Sequence, residues 1–152
     1  MRATHFLLAA AAFSVPSLLP AADLVRSLGG TSYTFKDVTY MGVPGRLYVP
    51  SGYDGSGSYE LVTFFHGLGE ALNTAGADAQ INGNIANLIK RAETDQFFVF
   101  APQFGNGWMS DHEQAAITRA IGQLTLDYKI NPGKIYATGL SAGGSDTMVA
   151  LR

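Results

Sequence analysis

Two uninterrupted apolar segments constrain the fold of this chain more than any other feature. Residues 61–65 read Leu-Val-Thr-Phe-Phe, and residues 97–101 read Phe-Phe-Val-Phe-Ala. Both are rich in β-branched and aromatic residues, and neither alternates regularly between apolar and polar positions. Strands of this kind are buried on both faces, as in a parallel sheet that is covered by helices.

Helical patterns separate the predicted strands. Apolar side chains from 81 to 89 recur at i, i+4, i+7 and i+8, which predicts a helix over residues 82–91. Ser110 and Glu113 have the spacing of a capping box ahead of a second helical pattern. Further elements are strands at 33–40, 46–49 and 134–138, a loop at 51–58, a chain break at 131–133 and a final helix after a turn at 139–144. The order β-β-β-α-β-α-β-α predicts an α/β fold, with a mostly parallel sheet and helices on both faces.

The N-terminus has the layout of a secretory signal peptide. Arg2 precedes an apolar run at residues 6–15, prolines end the run, and alanines follow at 21–22. The run is too short to span a membrane, which takes about 20 apolar residues. We therefore expect a leader at 1–22, part of one domain at 23–152, and a secreted or periplasmic protein without a stable membrane anchor. The alternative is that the run is a buried helix of the folded domain.

Composition excludes several classes of function. The 152 residues contain no cysteine, so disulfides, thiolate metal sites and a cysteine nucleophile are excluded. The formal net charge of -2 leaves no basic surplus to neutralise a phosphate backbone, so nucleic-acid binding has no electrostatic support. Hydrophobic residues make up 47% of the chain, which is ample for a packed core. The sequence does not indicate an oligomeric state.

A Gly-x-Ser-x-Gly pentapeptide, Gly139 to Gly143, lies between a predicted strand and a predicted helix. In this context the pattern indicates a nucleophile elbow, a sharp turn that exposes a reactive serine hydroxyl. Gly139 and Gly143 stand where side chains would collide with the strand and the helix. Ser141 is then the candidate nucleophile, and the Ala142 N–H is a candidate oxyanion donor. The alternative is a glycine-rich junction with an idle serine.

His66 and Gly67 follow the predicted strand at 61–65, where this arrangement places its second oxyanion donor. We expect the Leu68 N–H to be that donor, with the Gly67 N–H as the alternative. His66 is expected to hold the loop by a side-chain hydrogen bond. A role for His66 as the catalytic base is the alternative, although it would require an unusual chain order.

Several segments together resemble a known group of enzymes. The stretches are Tyr-Val-Pro with Gly-Tyr-Asp at 48–54, residues 61–67, Ala-Pro-Gln at 101–103, and Lys-Ile-Tyr leading into the elbow at 134–144. They resemble the secreted esterases of the polyhydroxybutyrate depolymerase and feruloyl esterase group. The stretch 66–70 and the Ala-Pro-Gln element followed by Trp108 are also similar to the related "predicted peptidase" esterases.

The resemblance implies an α/β-hydrolase fold and a carboxylic ester hydrolase that works through an acyl-enzyme on Ser141. It implies a small-molecule or polymeric ester as substrate, and neither a metal nor an organic cofactor. Phe104 and Trp108, which follow the strand at 97–101, are candidates for substrate contact. Packing within the loop is the alternative for both residues.

The sequence departs from the pattern of this group at one point. The fold orders its triad as serine, then an acid, then histidine, but Asp146 is the only titratable side chain other than Arg152 after Ser141. His5 falls in the predicted leader, and His112 in the first turn of a predicted helix, where a solvated role is expected. We therefore expect the N-terminal part of a hydrolase domain without its C-terminal strands. Alone, it should be poorly stable and show little activity.

Two other classes of function stay open at this stage. One is a non-catalytic binding protein on the same fold, since a fold does not fix a function. The other is a serine peptidase or acyltransferase that uses the same elbow. A downstream histidine and acid would favour catalysis, and activity on esters rather than peptides would then favour the esterase.

Overall fold

A six-stranded sheet forms the centre of the molecule. The computed structural model describes residues 23–150, so the predicted leader and the last two residues lie outside the described residues. The strands are β1 Leu24–Leu28, β2 Thr31–Asp37, β3 Gly45–Tyr48, β4 Tyr59–Phe65, β5 Phe98–Pro102 and β6 Ile130–Gly139. The helices are α1 Leu72–Ala75, α2 Ala86–Asp95, α3 Asp111–Asp127 and α4 Ala142–Ala150, with a short 3-10 turn at Leu68–Glu70.

The strand order across the sheet is β1-β2-β3-β5-β4-β6. The first three neighbouring pairs are antiparallel, whereas β4 pairs in parallel with β5 and with β6. The α/β fold predicted from the sequence is confirmed, but the described sheet is mixed rather than mostly parallel, since only β4, β5 and β6 form its parallel part. Because these three strands run in the same direction, the loops that follow them meet at one edge of the sheet.

Helices cover both faces of the sheet, and the side chains of β5 show why. Phe98 and Phe100 point toward a core cluster that includes residues of α3, whereas Val99 and Ala101 point toward a cluster that includes residues of α2. Every residue of β5 is buried. Full burial of a phenylalanine side chain contributes about 1.5–3 kcal/mol. The uninterrupted apolar segments are thus explained by burial on both sides.

The predicted capping box begins α3. The Ser110 hydroxyl accepts a hydrogen bond from the Glu113 N–H at 3.3 Å, and the Glu113 carboxylate accepts one from the Ser110 N–H at 2.8 Å. The helix predicted at 82–91 begins later, at Ala86, and continues to Asp95. Among residues 23–150, no helix is both long and apolar enough to cross a membrane.

One strand was not predicted, and one local prediction was wrong. Strand β1 was missed because four of its five residues are partly or fully exposed and its sequence does not alternate regularly between apolar and polar positions. The hairpin signal was present, since Gly29 and Gly30 connect β1 to β2 with φ of +58° and +85°. The predicted break at 131–133 instead lies within β6, where pairing with β4 is irregular. Edge strands tolerate a proline, and β6 lies at the edge of the described sheet.

Candidate functional site

Ser141 occupies the turn between β6 and α4, and its backbone is in the left-handed region with φ of +53°. Side chains disfavour this conformation, which persists only where the surrounding structure holds it. Two hydrogen bonds hold the turn: the Leu140 N–H donates to the Phe65 carbonyl at 3.0 Å, and the Gly143 N–H to the Leu140 carbonyl at 2.9 Å. The side chain of Ser141 is exposed. The turn therefore presents the hydroxyl above the carboxyl edge of the sheet.

The two glycines of the pentapeptide lie at points of close backbone approach. A Cβ atom on Gly139 would lie 2.2 Å from the carbonyl oxygen of Gly143, and one on Gly143 would lie 2.1 Å from that of Phe65. Neither distance is sterically possible. The crossing of β6, β4 and α4 thus requires glycine at both positions.

Ala142 is the first residue of α4 and is buried. The first N–H groups of a helix have no acceptor within the helix, and the helix dipole makes this end attractive to an anion. The Ala142 amide comes directly after the serine. An oxyanion formed on a group bonded to Ser141 could therefore be stabilised there.

His66 is fully buried and uses both ring nitrogens. Its Nε2 lies 2.9 Å from the Phe104 amide nitrogen, and its Nδ1 lies 2.8 Å from the Gly67 carbonyl oxygen. Because Nε2 must accept from the Phe104 N–H, Nδ1 carries the proton and donates to Gly67. The ring thereby ties the end of β4 to the segment after β5 and has no nitrogen left for Ser141. His112, the other described histidine, contacts the Met41 carbonyl instead.

The loop after β4 lies against the elbow. A Cβ atom on Gly67 would stand 3.5 Å from the Leu140 carbonyl oxygen. The Gly67 N–H donates to the Glu70 carboxylate at 2.6 Å. This N–H is therefore occupied, which argues against the alternative in which Gly67 is the oxyanion donor. The Leu68 amide follows at the start of the 3-10 turn, where backbone N–H groups have no partner within the turn.

A buried polar network around Glu70 holds this loop. The Glu70 carboxylate accepts from the amide groups of Asn82 at 2.9 Å and Asn84 at 2.5 Å, in addition to Gly67. The Glu70 carbonyl accepts from the side chain of Gln103 at 2.9 Å, and Gln103 is itself 1% exposed. These neutral donors compensate the carboxylate for the water it loses on burial.

The two candidates for substrate contact lie in different environments. Phe104 is fully buried and packs against the rings of Phe65 and His66, so its proposed contact with substrate was wrong. Trp108 is 56% exposed. The segment that carries it crosses the loop after β4, because a Cβ atom on Gly107 would lie 2.9 Å from the Leu68 Cα.

Asp146 lies in α4, one turn beyond the elbow, and is 3% exposed. Its Oδ1 accepts a hydrogen bond from the Met109 N–H at 3.1 Å, while its Oδ2 is buried and has no partner among the described residues. Burial raises the pKa of this carboxyl group above its ordinary value, and the Glu113 carboxylate raises it further. The hydrogen bond from Met109 and the proximity of His66 oppose that rise.

The chain is similar to esterases in sequence and in fold. No protein-family model matches the chain. It is 31% identical over 104 residues to the probable feruloyl esterase C of Aspergillus terreus. The structure superimposes on a thermostable esterase with a TM-score of 0.56 at 26% identity, and on the acetyl xylan esterase of Aspergillus awamori with a TM-score of 0.54 at 17% identity. The chain has the α/β-hydrolase fold and is similar to carboxylic ester hydrolases.

The matches cover most of this chain but a smaller part of the other proteins. The feruloyl esterase match takes in 64% of this chain and 37% of that protein. The two solved structures match 84% and 72% of this chain, which correspond to 36% and 43% of their own lengths. The chain thus spans less than half of the length of each of these esterases.

Sequence reasoning missed the groups that position the hydrolase elbow and its neighbouring loop. Glu70 and Gln103 lie in the stretches 66–70 and 101–103 that carry the family resemblance, but no role was predicted for either. Asp146 was judged only as a triad acid. Their partners lie outside the helices and strands: Asn82 and Asn84 precede α2, although the apolar pattern predicted a helix from residue 82, and Met109 precedes α3. Only the three-dimensional contacts identify them.

Proposed function

We propose that this chain carries the nucleophile and the oxyanion hole of a serine carboxylic ester hydrolase. The observation that carries the proposal is the left-handed backbone of Ser141 between two glycines, at the carboxyl end of β6, which pairs in parallel with β4. This is the geometry that a nucleophile elbow needs. The similarity to esterases supports the ester as the substrate class.

In the proposed reaction the Ser141 Oγ attacks the ester carbonyl carbon while a base takes the hydroxyl proton. The Ala142 and Leu68 N–H groups donate to the oxyanion of the tetrahedral intermediate. Collapse of that intermediate releases the alcohol, which takes up the proton, and leaves an acyl group on Ser141. Water then attacks the acyl-enzyme and releases the acid. No step needs a metal or an organic cofactor.

The base and its orienting acid belong to a different part of the enzyme from the residues described here. His66 is engaged by Gly67 and Phe104, and His112 by Met41. Asp146 accepts from the Met109 N–H and makes no hydrogen bond to a described histidine. In the proposed enzyme His66 and Asp146 therefore position loops, and the chain supplies the nucleophilic half of the site.

The proposed enzyme acts outside the cytoplasm. Residues 1–22 have the layout of a leader, and residues 23–152 would be the corresponding part of the hydrolase domain. The absence of a basic surplus argues against a nucleic acid as partner. An ester, small or polymeric, is the proposed substrate, with Trp108 as a contact at the rim of the site.

Acylation of Ser141 with an external base tests the proposal. Purified protein is incubated with p-nitrophenyl acetate, with and without imidazole, and intact-protein mass spectrometry follows the acetyl adduct. Imidazole should accelerate adduct formation because it supplies the missing base, and the adduct should map to Ser141. Ser141→Ala is the matched control and should form none.

Equal acetylation of the wild-type protein and the Ser141→Ala variant would overturn the proposal. A peptide p-nitroanilide in the same assay separates the alternatives. Faster acylation from the anilide than from the ester would favour a peptidase. Binding of either substrate without any acylation of Ser141 would favour a non-catalytic binding protein.

A further inference from the structure

One buried contact joins the elbow helix to the segment that carries the exposed tryptophan. Asp146 of α4 accepts the Met109 N–H at 3.1 Å, and Met109 directly follows Trp108. The same segment packs against the loop after β4, since Gly107 lies close to the Leu68 Cα. Asp146 is thus linked through this segment to the amide that we assign to the oxyanion hole.

Only one of the two carboxyl oxygens of Asp146 has a hydrogen-bond partner among the described residues. Its Oδ2 is buried and finds no hydrogen-bond partner among residues 23–150. The titratable groups that face it are His66, from the end of β4, and Glu113, from α3. Both ring nitrogens of His66 are engaged by Phe104 and Gly67, and Glu113 is an acid. Neither group therefore donates a hydrogen bond to Oδ2 of Asp146.

We propose that Asp146 is a positioning residue whose protonation state sets how the Trp108 segment lies over the Leu68 amide. The protonated carboxyl keeps the Met109 contact through Oδ1 and leaves no charge in the interior. The ionised carboxylate needs solvation at Oδ2, and the segment moves to admit water. The functional meaning of this movement rests on the proposed oxyanion role of Leu68, but the movement itself does not.

The direction of the pH dependence follows from burial. The folded state raises the pKa of Asp146, so the packed segment is favoured below the ordinary aspartate pKa of about 3.9. That preference is lost as the pH rises through the higher value of the folded protein. The Trp108 segment should therefore loosen with increasing pH. The transition should occur at a higher pH than the titration of an exposed aspartate.

Trp108 is the single tryptophan of the chain and reports on its own segment. Its fluorescence and its quenching by acrylamide are measured between pH 3 and pH 8 in the wild-type protein and in Asp146→Asn. We expect quenching to increase with pH in the wild type and to stay constant in the variant. Asp127→Asn, at the exposed end of α3, and His112→Gln, in its first turn, are controls that should retain the transition. A transition that persists in Asp146→Asn, or no transition in the wild type, overturns the proposal.

A second measurement needs no variant and covers the case in which Asp146→Asn does not fold. In isotope-labelled wild-type protein, the carbon shift of the Asp146 carboxyl and the indole N–H shift of Trp108 are followed over the same pH range. One common midpoint supports the proposal, and two different midpoints overturn it. Neither experiment involves an ester, so failure here is distinct from failure of the proposed esterase function.

Discussion

Gly143 packs so closely on Phe65 that a Cβ atom on the glycine would lie 2.1 Å from the Phe65 carbonyl oxygen. The obstacle is backbone of a central strand, which cannot move aside as a flexible side chain can. The contact fixes the angle at which α4 leaves the elbow. The position of Ser141 is therefore held by the sheet and not by a loop.

Replacement of Gly143 by alanine should destabilise the protein more than an ordinary overpacking mutation, by about 3 kcal/mol or more. The reason is that β4 or α4 must shift to relieve the overlap. Urea denaturation followed by circular dichroism measures the loss. Gly122→Ala is the matched control, because a Cβ at that position in α3 meets nothing within 4 Å. It should raise stability by up to about 1 kcal/mol, and similar losses in the two variants would contradict the close approach.

Ser141 should be replaceable by glycine with a gain in stability. Its φ of +53° costs a residue with a side chain about 1 kcal/mol or more, and glycine adopts this conformation freely. Ser141→Gly should therefore shift the urea midpoint upward, although it removes the acyl acceptor. Ser141→Ala keeps the strain and should show no such gain. If alanine and glycine changed the midpoint equally, the serine backbone would not be strained.

The elbow could be predicted from sequence because its determinants are local. Gly139, Ser141 and Gly143 lie within five residues, and the flanking strand and helix have their own patterns. The apolar strands likewise predicted the two-sided sheet. In contrast, most of β1 is partly or fully exposed, and the strand depends on pairing with β2. Its only local signal was the Gly-Gly turn.

The groups that hold the site in place could not be predicted in the same way. Glu70 meets Asn82 and Asn84 across a loop of more than ten residues. Asp146 meets Met109 across the whole of α3. Neither pair has a periodic or motif signal, because the contacts depend on how strands β4, β5 and β6 order themselves in the sheet. Packing of Phe104, which the sequence left as the alternative to substrate contact, depends on the same strand order.

His66 should be required for stability, whereas His112 should not. His66→Phe keeps an aromatic ring but leaves the Phe104 N–H buried without its acceptor, whereas the Gly67 carbonyl keeps the Glu70 N–H as a donor. An unpaired buried group costs about 1–3 kcal/mol, so a loss of that size is expected. His112→Gln, at an exposed position, should change stability by less than about 0.5 kcal/mol. Chemical denaturation of both variants distinguishes the roles, and similar small effects would show that His66 is not a structural bridge.

Glu70→Gln tests whether a negative charge is needed to hold the loop beside the elbow. The carboxylate accepts hydrogen bonds from Gly67, Asn82 and Asn84. A glutamine in its place would replace one carboxylate oxygen by an NH2 group, which cannot accept a hydrogen bond from these donors. We expect a destabilisation of about 1–3 kcal/mol. Hydrogen exchange should also show earlier exchange at Gly67, whose N–H donates to that carboxylate. Glu60→Gln is the control, since Glu60 is exposed and pairs only with Lys134 at the surface, where such pairs contribute about 1 kcal/mol or less. Unchanged protection of the Gly67 N–H in Glu70→Gln would show that the asparagine side chains and Gln103 hold the loop without the charge.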